Sequence, residues 1–280
     1  MTAIPTSDKP TKPGGSWGDL RSRSISAVGM VAVGGGAVLW GGQPFMVLVI
    51  VLGGLMLWEL ARMTAPGRRA ANAGLGALAA AALAAVALAL DLPRDFLVAL
   101  PVLALAPVMG LQGERRDARL FVLYGFALML AAAGLLALRG TGGAVTILWL
   151  ILVVVASDVL GYFAGRSLGG PKLWPRVSPS KTWSGTVAGW LGAAIVGLGF
   201  SFLPGAGWGL IILSPVIALA GQLGDIVESW VKRRSGVKDS SALIPGHGGV
   251  LDRFDALTGA VLALLLLGLL GPLPLPELGN

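Results

Sequence analysis

Apolar runs long enough to cross a membrane recur along this chain, and they restrict its fold more than any other feature. A helix needs about 20 mostly apolar residues to span a bilayer. Nine segments meet that measure: 25–41, 44–62, 72–90, 95–111, 119–138, 143–165, 183–203, 208–231 and 253–271. The first is rich in glycine, and the fourth carries Pro101 and Pro107. Only 12% of the 280 residues are charged, 55% are hydrophobic, and the mean hydropathy is +0.81. Soluble domains are about a quarter charged, so this composition excludes them. The expected fold class is all-α: a polytopic integral membrane protein with about nine transmembrane helices.

The formal net charge of +7 would suggest a nucleic-acid partner in a soluble protein. In a membrane protein, Lys and Arg gather in the cytoplasmic loops. With nine spans and the N-terminus inside, all but Arg94 and Arg139 of the 21 Lys and Arg fall on the inner side. Topology thus accounts for the basic charge, no nucleic acid is expected, and the C-terminus should lie outside. There are no cysteines, so disulfides and thiolate metal sites are excluded. Residues 1–24, rich in Pro, Ser, Gly and Lys, read as a flexible cytosolic tail. No small-residue cleavage site follows the first apolar run, so it reads as a retained span. Residues 25–150 carry few polar groups and read as a helical scaffold. Glu59 is the exception, and it reads as a cap against Arg62 at the inner end of its span.

The polar chemistry lies in residues 151–280, at the inner ends of spans. Asp158 sits within the sixth span, where an acid costs a few kcal/mol unless paired or hydrated. After that span come Lys172 and then Ser178, Ser180, Lys181 and Thr182, just before a helix start. Free N–H groups at such a start bind anions; an ordinary N-cap and basic loop is the plainer reading. Asp225 and Glu228, three apart, share a helix face. They are joined either by a cation or by a base such as Lys232. All-oxygen ligands point to a hard cation such as Mg2+. Asp252 and Asp255 repeat the spacing at the last span, and Asp252 could approach Asp225 if these two helices are antiparallel neighbours. Gly246, Gly248 and Gly249 allow a ligand close to the backbone, and His247 could donate to a phosphate. Carboxylates for a cation beside bases for phosphates suit phosphoryl or nucleotidyl transfer. A cation transporter is the rival class, but its polar groups would lie near the midplane, often in repeated halves. No repeat is visible here.

The stretch SWVKRRSGVKDSSALIPGHGGVLDRFD, Ser229 to Asp255, resembles the signature of the phosphatidate cytidylyltransferase family. Upstream, SDVLGYFAGRSLGG and SPSKTWSG are similar to the family as well, so the resemblance covers about residues 154–271. Ser184 departs from it, since a glutamate is expected there. The resemblance implies transfer of CMP from CTP to phosphatidate, giving CDP-diacylglycerol and pyrophosphate. A cytidylyltransferase acting on another lipid phosphate, of isoprenoid or archaeol type, is the alternative. The implied catalytic residues are Asp225, Asp252, Lys232, His247 and Arg253. Lys172, Ser178, Ser180, Lys181, Thr182, Arg233, Lys238, Asp239, Gly246, Gly248 and Gly249 would bind substrate. Asp225 and Asp252 would hold Mg2+, with Asp158, Glu228 and Asp255 as further candidate ligands and K+ as a candidate second cation. The resemblance also implies a homodimer among membrane lipids, in a bacterial-type inner membrane with the active site facing the cytosol.

Overall fold

The computed structural model describes residues 17–89, 95–175 and 177–276. Most of the expected tail, together with Arg94, Arg176 and the last four residues, lies outside them. Eight α-helices carry the chain: α1 (Trp17–Trp40), α2 (Gly42–Thr64), α3 (Arg69–Ala89), α4 (Phe96–Met109), α5 (Ala118–Leu168), α6 (Trp183–Phe200), α7 (Leu210–Arg234) and α8 (Leu251–Gly268). Six of the described helices are long and apolar enough to cross a membrane. Helix α1 begins at Trp17, so the segment 17–24, expected in the tail, is helical instead.

The expected spans 119–138 and 143–165 are the two helical arms of α5, which breaks where Gly143 takes φ 70° and ψ −164°. The two arms run in opposite senses. Arg116, just before the first arm, donates its amide to Thr64 O at the end of α2, while Arg139 packs on Gly41 at the start of α2. On the second arm, Trp149 Nε1 donates to Ser214 Oγ near the start of α7, and Ser157 meets Gln222 further along it. A β-branched or bulky residue could not make this reversal at low cost, because φ near +70° is the left-handed region that glycine tolerates.

The helices share one apolar core, whose fully buried members include Leu57, Leu60, Leu83, Leu103, Phe121, Leu128 and Trp149. Helix α1 is largely exposed. Pro101 and Pro107 lie inside α4, where each removes a backbone donor; neighbouring helices make this tolerable in lipid.

One end of the bundle is tied together by polar loops. Arg115 donates to Gly110 O at 2.8 Å, Ala61 O at 3.0 Å and Thr64 Oγ1 at 3.0 Å, and lies over the Phe121 ring at 4.0 Å. Burial, with Arg68 nearby, lowers its pKa from the ordinary arginine value. Arg116 donates to Ser235 O at 2.9 Å. Asp117 caps α5 by accepting from the Leu120 amide, and Arg234 pairs with it; these two contacts, in that order, hold its carboxyl below the usual range. The connections before α3, α5 and α8 therefore meet at one end. At that end a short antiparallel hairpin, β1 (Lys172–Trp174) and β2 (Ser178–Thr182), replaces the irregular loop expected there.

Candidate active site

The site is built where α7 and α8 cross almost backbone to backbone. A Cβ on Gly224 would stand 2.5 Å from Asp255 O, and one on Gly259 would stand 2.3 Å from Ala220 O. Such distances admit only glycine on both sides. The close crossing brings Asp225 and Glu228 of α7 against Asp255 of α8. One carboxylate oxygen from each of the three lies within 4.8 Å of the others, a spacing that could hold a metal ion.

Glu228 is completely buried. Its Oε2 pairs with Lys232 Nζ at 2.6 Å, and that ammonium is shared with Asp252. A buried carboxylate that shares one ammonium with a second acid is only partly compensated, and a metal cation would complete it. The donor set therefore fits a divalent cation held by oxygen ligands. Asp225 pairs with Lys181 of β2 and accepts weakly from Ser229 Oγ at 3.4 Å.

Asp252 stands next to this group on the same face of α8. Its carboxylate accepts from Lys232 Nζ at 2.9 Å, from the Ser240 amide at 3.1 Å and from the Gly249 amide at 2.8 Å. It lies one turn of α8 from Asp255 and meets Glu228 both directly and through Lys232. The sequence could not separate Asp252 from Asp255, because both face α7 and only the crossing point decides which meets Asp225.

Beside the carboxylates lies a cavity of about 540 Å³ between α5, α6, α7 and the hairpin. Asp158, Lys172, Ser180, Lys181, Thr182 and Gln222 line it. Thr182 caps α6 by accepting from the Gly185 amide at 3.2 Å, and Ser178 is buried in β2. Ser184, the departure from the expected pattern, donates to Gly169 O and lies 3.0 Å from Thr182 Oγ1, so it ties the end of α5 to the start of α6. Gln222, which the sequence did not single out, is fixed by Ser157 Oγ at 3.1 Å and by Trp190 Nε1 at 3.1 Å.

The glycine turn before α8 is compact. The Ile244 amide donates to Gly248 O at 2.8 Å and the His247 amide to Ile244 O at 2.9 Å, with Gly246 and Gly248 at φ 74° and 84°. His247 offers its carbonyl to Arg253 Nε at 2.8 Å, so Arg253 folds back on the turn. Arg233, Lys238 and Asp239 are exposed around it.

Glu59 departs most from its expected role. Arg62 lies over the Trp58 ring instead of pairing with it. The carboxylate of Glu59 is completely buried and accepts from Ser240 Oγ, Ser241 Oγ and the amides of Val250 and Leu251. Only an acid near the inner end of an apolar span signalled it. Its partners are more than 180 residues away in sequence, beyond the reach of any local pattern.

Residues 21–270 match the Cytidylyltransferase family. The chain is 39% identical over 259 residues to a protein named phosphatidate cytidylyltransferase from Brucella abortus biovar 1 (strain 9-941), covering 89% of this chain and 93% of that one. Proteins of the same name from Haemophilus influenzae and Helicobacter pylori are 46% identical over 128 residues and 44% identical over 124. These shorter matches cover 42% and 44% of this chain, and 44% and 46% of the relatives.

Proposed function

Because the chain belongs to the Cytidylyltransferase family, we propose that this enzyme transfers CMP from CTP to phosphatidate, giving CDP-diacylglycerol and pyrophosphate. The observation that carries the reading is the group formed by Asp225, Glu228 and Asp255, flanked by Lys181 and Lys232 at the edge of a polar cavity.

A phosphate oxygen of phosphatidate attacks the α-phosphorus of CTP; one P–O bond forms, the bond to the β-phosphate breaks, and pyrophosphate carries away the electron pair. No general base is required, since the attacking oxygen is already anionic near neutral pH. Asp225, Glu228 and Asp255 would hold a cation, which we assign as Mg2+ with K+ as a candidate second ion, and which when bound would neutralise phosphate charge. Lys181 and Lys172 draw triphosphate into the cavity. Lys232 stands between Glu228 and Asp252, placed to meet a phosphate that enters the site. Asp252 fixes Lys232 and the glycine turn, His247 and Arg253 offer donors at its rim, and Arg233 and Lys238 add positive charge around it. Such preorganised charge is the main source of rate in phosphoryl chemistry.

The nine helical passes cross the inner membrane of a bacterial cell, with the N-terminus and the polar loops on the cytosolic side and the C-terminus outside. Water-borne CTP then meets a lipid headgroup whose acyl chains stay in the bilayer. Residues 151–280 carry the chemistry and residues 25–150 form the scaffold, and the enzyme works as a homodimer.

Purified protein incubated with labelled CTP, phosphatidate and Mg2+ should form labelled CDP-diacylglycerol, and EDTA should abolish the product. Absence of product with both short- and long-chain phosphatidate would overturn the proposal. Faster turnover of an isoprenoid or archaeol-type phosphate in a parallel arm would shift it to another lipid acceptor.

A further inference from the structure

The mechanism above makes no use of Glu59, yet this side chain accepts four hydrogen bonds at the polar end of the bundle. Its Oε1 accepts from Ser241 Oγ at 2.5 Å and the Val250 amide at 3.0 Å. Its Oε2 accepts from Ser240 Oγ at 3.0 Å and the Leu251 amide at 2.7 Å. Two backbone donors at the start of α8, where an anion is favoured, are therefore taken by a carboxylate from the other half of the chain. The start of α8 is not left open for a substrate phosphate.

The contact continues toward the chemistry. The amide of Ser240, whose hydroxyl Glu59 holds, donates to both oxygens of Asp252 at 3.1 Å. Asp252 in turn holds Lys232 at 2.9 Å, and Lys232 lies 2.6 Å from Glu228. The chain of contacts runs from α2 to the carboxylate group without a gap. Gly249 is confined by the same arrangement: a Cβ there would stand 2.0 Å from Ser240 Oγ and 2.5 Å from Glu59 Oε1.

We propose that Glu59 is a positioning residue for the transfer reaction. Its carboxylate sets the segment from Ser240 to Leu251 and, through Ser240 and Asp252, places Lys232 beside Glu228. The inference rests on the reaction proposed above for its kinetic readout, and on geometry alone for its structural one.

Glu59→Gln keeps the shape but turns an amide donor toward at least one backbone N–H, which loses its acceptor. Amide exchange at Gly248–Leu251, read by mass spectrometry on the full-length protein, should speed up while the middle of α8 keeps its protection. The kcat should fall about 100-fold, the scale of a small misplacement of reacting groups, with much less change in KM for CTP. Leu57→Ala is the control: Leu57 is completely buried two residues from Glu59 on the same helix, so it should lower thermal stability while leaving kcat near that of the parent. Unchanged exchange at Gly248–Leu251 in Glu59→Gln, a parent-like kcat, or an equal kcat loss in Leu57→Ala would each overturn the proposal. If Glu59→Gln does not fold, Gly249→Ala carries the test with the same two readouts, because it forces apart the same contact and leaves the carboxylate in place. A parent protein that makes no CDP-diacylglycerol would refute the proposed reaction and leave the exchange experiment to decide the role of Glu59.

Discussion

Glu228 is completely buried and shares its ammonium partner, Lys232, with Asp252, and that determines what replacing it should do. A cation binding there gains a preformed, desolvated ligand, so Glu228→Gln should raise the half-saturating Mg2+ concentration by about tenfold or more, the equivalent of about 1.4 kcal/mol. Titrating activity with Mg2+ checks this; an unchanged midpoint would remove Glu228 from the cation set. The two acids of α8 separate in the same assay. Asp255→Asn should shift the Mg2+ midpoint as Glu228→Gln does. Asp252→Asn should lower kcat through loss of its contacts to Lys232 and the Ser240 and Gly249 amides, and should shift the midpoint less. The reverse order would exchange their roles.

At the scale of the element, the crossing of α7 and α8 depends on Gly224 and Gly259. A methyl on either meets opposing backbone well inside contact distance. Backbone cannot turn aside as a flexible side chain can. Gly259→Ala should therefore lower stability by about 1–3 kcal/mol, the usual cost of overpacking, and should also reduce activity by moving Asp255 away from Asp225. Thermal unfolding in detergent, alongside the transfer assay, measures both. Alanine at Gly268, which has open space around it, should change neither. The reversal at Gly143 belongs to the same scale: two apolar runs separated only by the short segment 139–142 form antiparallel arms, because one residue adopts a left-handed φ.

At the scale of the whole molecule, the absence of cysteine makes topology directly measurable. A single cysteine at Lys238, in the loop before α8, and another at Pro204, in the loop between α6 and α7, should label from opposite sides of the membrane. An impermeant thiol reagent added to intact cells should reach Pro204→Cys, and should reach Lys238→Cys only after the membrane is opened. Labelling of both from one side would overturn the proposed orientation.

The amino-acid sequence by itself determined the class of this protein: an all-helical chain of apolar runs, with its polar chemistry concentrated between Asp158 and Asp255. Hydropathy and charge bias are local and add along the chain, so they survive without coordinates. The signature from Ser229 to Asp255 made the transfer chemistry legible for the same reason, since its residues are contiguous. Tertiary structure alone decided which acids meet. Asp252 and Asp255 differ by three residues in sequence, and only the point where α7 crosses α8 puts Asp255 in the carboxylate group and Asp252 on Lys232. It also decided the role of Glu59, whose hydrogen bonds close a loop of more than 180 residues. A contact of that sequence separation leaves no periodicity or spacing to read, and it exists only once the helices have packed.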